Sequence, residues 1–411
     1  MDILSRLFKT LNKIQEIINL IQILKKKYQS LAQCIEFGEY DRIIAAILGK
    51  KISLWTNTLK PHRYRYIMLA SHGTGRNAFW HFLQACNAYP MRKFDIGCMD
   101  KTAFFSWRKI YGIVSDRDIS HLPSTLKFIT KLDHKVPVFC LVRDPISIIR
   151  SGVNMTLASN LMGGGDNVSI QEVLKSYLES YAQMPHHFIF TTSPKQFSSL
   201  TQELIYIDMK ELSAQKAFDT MKKVCQKIGL PAPDSNEIFS KKIADSLALN
   251  IEKDFFFSKN KIMPCDVYLK ILPYENTLHK KFIFLVEKFS SPHLQEQMIS
   301  ICLIGKNKRD IRKKILKNKN ALDFILEKIN DYAIQIKEKF ARYEELKINE
   351  NDVLKYFEND PVLYDKFNQL LEYEVSGIRK NTPQIPENWV YYNKFLSIKI
   401  PERGQCQNDA P

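Results

Sequence analysis

The sequence predicts an α/β fold: a three-layer arrangement built on a mostly parallel sheet, extended by a helical C-terminal region. Three observations carry this. Between residues 64 and 235, short apolar runs alternate with amphipathic helical patterns, the rhythm of strand–helix–strand units. The run Val138-Phe139-Cys140-Leu141-Val142 is apolar throughout, as a strand covered on both faces requires. It stops at Arg143-Asp144-Pro145, where Asp suits a helix start and Pro the first helical turn. From 320 to 376 the apolar positions recur at helical spacing, as in Leu322, Ile325, Leu326 and Ile329.

Taken in order, residues 1–55 form an N-terminal helical segment. Leu4, Leu7, Leu11, Ile14, Ile18 and Ile21 recur at alternating steps of three and four, and Lys25-Lys26-Lys27 lies near the end, where cations suit the helix dipole. This stripe either packs on the body or pairs with another helix, or residues 1–30 make peripheral contact with an anionic membrane. Residues 56–235 form the core, entered through a linker containing Pro61. Its strands are expected at 64–70, 110–114, 138–142 and 204–212, and helices start at Ala78, Pro145 and Ala214. Met162-Gly163-Gly164-Gly165-Asp166-Asn167 reads as a mobile surface loop, or as a lid over an acceptor.

Residues 236–305 are a mixed extension, with strand-like runs at 267–272 and 282–286 that suggest a hairpin-like addition. Residues 306–403 are helical. Their first stretch, 306–319, carries eight basic residues, read as a solvated face or as an anion-binding strip. Asn351-Asp352 before Val353-Leu354 marks a new helix start, and residues 404–411 are a frayed polar tail.

Composition narrows the function. With 411 residues, one enlarged domain or two are expected, and 45% hydrophobic content is enough for a packed core. The eight cysteines are scattered with no Cys-x-x-Cys pair; Cys86 and Cys140 sit in apolar surroundings and read as core thiols. This suits a reducing cytoplasm and argues against structural zinc. The formal charge of +16 fits an anionic nucleotide, an acidic glycan or an anionic membrane surface. Nucleic acid ranks last, because no zinc finger, aromatic RNA-binding signature or basic helix with a zipper is present. No signal peptide and no run of about 20 apolar residues is evident, so a cytoplasmic protein is expected, at most peripheral at the inner face of the membrane.

The chemistry concentrates in two strand ends. Ser71-His72-Gly73-Thr74-Gly75-Arg76-Asn77 places small polar residues and two glycines between a strand and a helix, so backbone N–H groups can face an anion. The closing Gly-Lys-Ser/Thr of nucleotide triphosphatases is absent, and ATP hydrolysis is not indicated. Arg143 ends the strand at 138–142, the place where open α/β sheets bind ligands, and its planar fork of donors suits a phosphate. Ser151 lies two helical turns later with a hydroxyl.

In this order the motifs resemble the sulfotransferase family. That family carries a phosphosulfate loop after its first strand, a 3′-phosphate motif with a Ser eight residues after an Arg, and a catalytic His in Lys-Ser/Thr-His-Leu-Pro between them. Here Arg143 and Ser151 keep the spacing, and Ser120-His121-Leu122-Pro123 stands in the intermediate place. Leu204–Leu212 resembles the family's strand ending in Tyr-Glu-Asp-Leu, and Gly229-Leu230-Pro231 resembles the turn that closes its next helix. The resemblance covers residues 64–235. It implies 3′-phosphoadenosine-5′-phosphosulfate as donor, held by Ser71, His72, Gly73, Thr74, Gly75, Arg76, Asn77, Arg143 and Ser151, with His121 as the base and no metal. The loop lysine of the family aligns with Ser71, so Arg76 or His72 would have to supply its charge. The whole chain also resembles a bacterial family some of whose members are described as sugar transferases of capsule loci. This implies a cell-surface polysaccharide or other glycan as acceptor.

Asp116-Arg117-Asp118 supports a rival, a metal-dependent nucleotide-sugar or phosphoryl-type transferase of capsule biosynthesis, since Asp-x-Asp after a strand can hold a cation and a diphosphate. Such triplets also serve as turn caps. A non-catalytic scaffold of capsule assembly is the third alternative. The remaining histidines, His134 among them, read as structural or surface residues without metal-ligand spacing.

Overall fold

The computed structural model describes residues 64–91, 110–116, 129–130, 132, 134–163, 169–183, 188–240, 253–258, 261–263, 267–273, 283–284, 299–304, 314–315 and 317–399. The expectations for residues 1–55, the glycine loop beyond Gly163, the basic stretch before Lys314 and the tail after 403 lie outside them.

The core is a five-stranded sheet of β1 (Tyr64–Leu69), β2 (Ala88–Met91), β3 (Ile110–Ser115), β4 (Val136–Val142) and β5 (Thr201–Asp208). The spatial order is β2-β3-β1-β4-β5, and every neighbouring pair is parallel. The chain leaves β1 towards one edge, returns through β3, then crosses to build the other half from β4. The direction of winding therefore reverses between β1 and β4, which opens a crevice at their carboxyl ends.

Alternation divides the core into two faces. Tyr66, Met68, Phe139 and Leu141 pack under α1 (Arg76–Ala85) and, beyond β5, α5 (Ala217–Lys227). Ile67, Leu69, Val138, Cys140 and Val142 pack on the opposite face under α2 (Pro145–Met162) and α3 (Ile170–Gln183). All seven residues of β4 are buried, as its unbroken apolar run requires. Helices that come after β1 and β4 thus cover opposite faces, as right-handed crossovers in opposite directions dictate. Cys86 and Cys140 are buried thiols. Between α3 and β5 lies the short helix α4 (Thr192–Gln196), and the short α6 (Glu237–Ser240) lies beyond α5.

The second sheet differs from its expectation. Both predicted runs are strands, β7 (Val267–Pro273) and β8 (Ile283–Phe284), but they do not pair with each other. Each pairs antiparallel with β9 (Ile299–Ile304), and β6 (Lys253–Phe257) takes the other edge of β7. A two-stranded hairpin is marginal in water; four strands give each apolar run a partner.

The C-terminal region comprises α7 (Lys319–Leu346), α8 (Glu350–Asn359), α9 (Pro361–Asn381), α10 (Gln384–Glu387) and α11 (Val390–Leu396). Its caps are written locally. Asn318 accepts from Ala321 N at 3.2 Å, and Asp360 accepts from Leu363 N at 3.0 Å ahead of Pro361. α8 starts slightly earlier than its pattern suggests, because Asn349 and Asp352 form a reciprocal capping box. Phe357, Phe367, Trp389 and Phe395 join the same apolar cluster as Ile149 and Val153 of α2, so these helices share the core with the sheet's α2 face. Two polar clips fix the docking. Asn154 exchanges 2.9 Å bonds with the backbone of Ile348 in both directions. Glu374, almost wholly buried, accepts from Thr191 N at 2.7 Å and Thr192 N at 3.2 Å, capping α4 from a distance of more than 180 residues. Among the described residues, no helix is long and apolar enough to cross a membrane.

Candidate functional site

The crevice between β1 and β4 is where the two predicted motifs converge. The chain leaves β1 through Ala70, whose N–H donates to Ser115 O at 3.0 Å, and turns at Gly73 and Gly75, with φ of +80° and +85°. These left-handed values explain why both positions are glycine. A Cβ on Gly75 would also meet Leu212 and Met209 at 3.1 Å. Thr74 is buried and its Oγ1 donates to Ser71 O at 2.8 Å, so this hydroxyl holds the loop together.

Gly75 is the N-cap of α1 and has no side chain to cap it; the first backbone bond of the helix is Phe79 N to Gly75 O at 3.0 Å. The N–H groups of Arg76, Asn77 and Ala78 therefore form a positive helix end beside the crevice. Ser71 is 1% exposed, and its Oγ has no hydrogen-bond partner among the described residues. His72 is exposed, while Gly73, Gly75, Arg76 and Asn77 are half-buried.

Arg143 enters from the end of β4. Its Nη1 donates to Gly73 O at 2.9 Å, so residues seventy apart in sequence are bonded across the crevice. Burial, and then the neighbouring Arg150, push its pKa down to about 10, while Glu350, Asp144 and Asp208 oppose the shift. The guanidinium therefore stays charged at neutral pH. Ser151 lies two turns along α2, half-buried, and Ser147 and Arg150 stand between it and Arg143 in sequence.

The predicted residues divide at this point. Ser71, Gly73, Thr74, Gly75, Arg76, Asn77 and Arg143 are gathered at one sheet edge, and Ser151 lies beyond them on α2. His121 and Asp118 lie outside the described residues. Arg76 Nη1 pairs with Asp116 Oδ2 at 2.8 Å. The loop's own arginine thus neutralises the first acid of the Asp-x-Asp triplet, and a cation there would compete with a resident guanidinium. Among the described residues, no three His, Cys, Asp or Glu side chains are grouped to hold a metal. His134 is structural as expected: its Nε2 lies 2.9 Å from Tyr64 O and its ring stacks on Tyr64 at 4.1 Å.

Sequence reasoning missed what the C-terminal region contributes. Glu350, first residue of α8, directs Oε1 at α2 and accepts from Ser147 Oγ at 2.9 Å and from Arg150 Nε and Nη2 at 3.2 and 3.1 Å. Burial raises its pKa, but the bond from Ser147 and the charge of Arg150 outweigh this and leave it below the ordinary glutamate value. Asp144 starts α2 by accepting from Ile146 N at 3.0 Å, and its second oxygen accepts from Tyr391 N and Tyr392 N at 2.9 and 3.1 Å, capping α11 as well. Asp208, level with Val142 in the sheet, accepts from Trp389 Nε1 at 2.6 Å. The only advance signal was that Glu350 stands next to a capping residue; its distant partners had none.

The C-terminal part of the chain, residues 206–399, matches a family model described as "Protein of unknown function (DUF2972)". No curated protein matches the chain. The matched span runs from within β5 to just past α11. It contains Asp208, Glu350, Glu374 and Trp389, the residues that dock the helical region, and stops short of the glycine loop and Arg143.

Proposed function

We propose that this protein is a sulfotransferase-like transferase that moves an activated acidic group, sulfuryl by family default, from a nucleotide donor to a hydroxyl of a cell-surface polysaccharide or other glycan. The observation that carries this reading is the bond from Arg143 to Gly73 O at the β1/β4 crevice. It joins a cationic strand end to a loop of left-handed glycines at an uncapped helix start, and this combination suits an anionic nucleotide. The buried Ser71 Oγ, without a partner among the described residues, adds a hydroxyl beside the same loop.

In this reading the N–H groups at the start of α1 face the donor's 5′-phosphate, and Arg143 with Ser151 holds the 3′-phosphate of 3′-phosphoadenosine-5′-phosphosulfate. Fixed donors of this kind stabilise charge as it develops on the leaving phosphate. His121 takes the acceptor's proton. Arg76 is engaged by Asp116, so Arg143 and the backbone carry more of the charge stabilisation than in the family pattern. The scattered cysteines and the expected donor fit work in the cytoplasm.

The test is a binding screen of the purified protein against adenosine 3′,5′-bisphosphate, adenosine 5′-monophosphate, UDP, CDP and GDP, with and without divalent metal. Adenosine 3′,5′-bisphosphate should raise the melting temperature by mass action. Arg143→Ala should remove charge-assisted bonds of roughly 1.5–3 kcal/mol, a loss of about ten- to a hundredfold in affinity. Equal stabilisation by adenosine 5′-monophosphate would show that no 3′-phosphate is read. Strict metal dependence with a nucleotide diphosphate would favour the nucleotide-sugar alternative.

A further inference from the structure

We propose that Glu350 is an internal competitor for the donor's anionic group and thereby determines which anions the Arg143 site accepts. This rests on the reading that Arg143 holds a phosphate of the donor.

Three features of the geometry support it. First, Glu350 places a carboxylate where α2 offers its polar face. Ser147 and Ser151 are one turn apart on α2, Arg150 lies between them, and Arg143 is the residue just before Asp144, the N-cap of the same helix. The carboxylate already collects one hydroxyl and two guanidinium donors, a set that would equally suit a phosphate or sulfate oxygen.

Second, the neighbouring acids are committed differently. Asp144 is bonded to three backbone N–H groups, and Asp208 to Lys210 N and the Trp389 indole. Those bonds hold the fold together. Glu350 reaches α2 only through the side chains of Ser147 and Arg150, so releasing it orphans no backbone group there.

Third, release is a side-chain rotation that gives up Ser147, Arg150 and the residue's own backbone N–H but moves no backbone. The backbone at this point is pinned by the two-way Asn154–Ile348 clip and by the Asn349/Asp352 capping box, neither of which involves the Glu350 side chain. Turning Glu350 outward removes one negative charge from beside Arg143 and Arg150, while Asp144 and Asp208 stay in place. A dianionic phosphomonoester gains twice as much from that change as a monoanion, enough to displace the carboxylate where a monoanion of the carboxylate's own charge does not. The inference is therefore selectivity for a dianionic group over singly charged anions.

Isothermal titration of the full-length protein and of Glu350→Gln, with adenosine 3′,5′-bisphosphate and separately with inorganic phosphate, tests this. The variant should bind both ligands about tenfold more tightly, or better, because it keeps the shape and removes the competing charge. It should also gain affinity for acetate, a monoanion, that the unmodified protein lacks. Unchanged or weaker binding of phosphate by the variant would overturn the inference and leave Glu350–Arg150 as a structural pair. If neither protein binds the nucleotide but the variant gains phosphate affinity, the inference stands and the donor assignment fails. If Glu350→Gln melts too low to titrate, Glu350→Ala, which also removes the carboxylate, carries the same expectation; no gain in that variant overturns the inference.

Discussion

At the carboxyl ends of β4 and β5, Asp144 and Asp208 are buried, and their oxygens are engaged by backbone N–H groups and the Trp389 indole. At the ends of β1 and β3 the charged groups are half-buried: Arg76 and Asp116 pair with each other, and the N–H groups that start α1 receive no N-cap side chain. One sheet edge is thus sealed on one side by the segment around α11 and left polar and accessible on the other. Charged residues at strand ends do not by themselves mark a site. A carboxylate saturated by backbone donors stabilises the fold, and an anion site needs donors still to be claimed. Arg143 lies on the boundary, bonded to the glycine loop on one side and influenced by Glu350, Asp144 and Asp208 on the other.

The sealed side depends most on Asp144. Asp144→Ala would orphan the N–H groups of Ile146, Tyr391 and Tyr392, each worth roughly 1–3 kcal/mol when buried. A loss of about 3 kcal/mol or more is expected in urea denaturation, with new proteolytic cleavage around residues 388–392. A loss below about 1 kcal/mol would mean that the seal is not carried there.

Gly73→Ala probes the accessible side. The new Cβ would rest 3.4 Å from Ile148, an ordinary contact, so the cost is the left-handed backbone alone. A stability loss of roughly 1–2 kcal/mol is expected. Affinity for adenosine 3′,5′-bisphosphate should fall by tenfold or more as the loop and Arg143 lose register. Binding unchanged in calorimetry would remove the loop from the site.

The smallest effect lies at the boundary. Because the carboxylate of Glu350 is held below its ordinary pKa, its contribution to stability is present above the unfolded value of about 4.3. It is lost as pH falls through the lowered folded value. The side chain of Arg150 is one-third exposed, so the gap between unmodified protein and Glu350→Gln should be about 1 kcal/mol or less near neutrality. Urea midpoints from pH 3 to 7 should show that gap closing on the acid side; a gap that widens there would contradict the assignment.

Much of the local architecture was legible. β4, the start of α2 at Asp144-Pro145 and the glycine turn after β1 arise from apolar runs, capping chemistry and conformational freedom, all of which act within a few residues. That the glycine loop and Arg143 share the sheet's carboxyl edge was expected from the order of motifs; the bond from Arg143 to Gly73 O was not. The Arg76–Asp116 pair, the partnership of β7 and β8 with β9, and the docking of Glu350, Glu374 and Trp389 were not.

The sequence by itself determined the α/β rhythm, the helical C-terminal region, the glycine turn after β1 and the helix start after Arg143, because periodicity and turn chemistry are written in neighbouring residues. Only the tertiary structure decided which charges are paired. Asp144 meets Tyr391 across 247 positions and Glu350 meets Ser147 across 203. Such partners are chosen by the packing of the C-terminal helices on α2, where burial of Phe357, Phe367 and Trp389 fixes the register and the polar groups pair as that register allows.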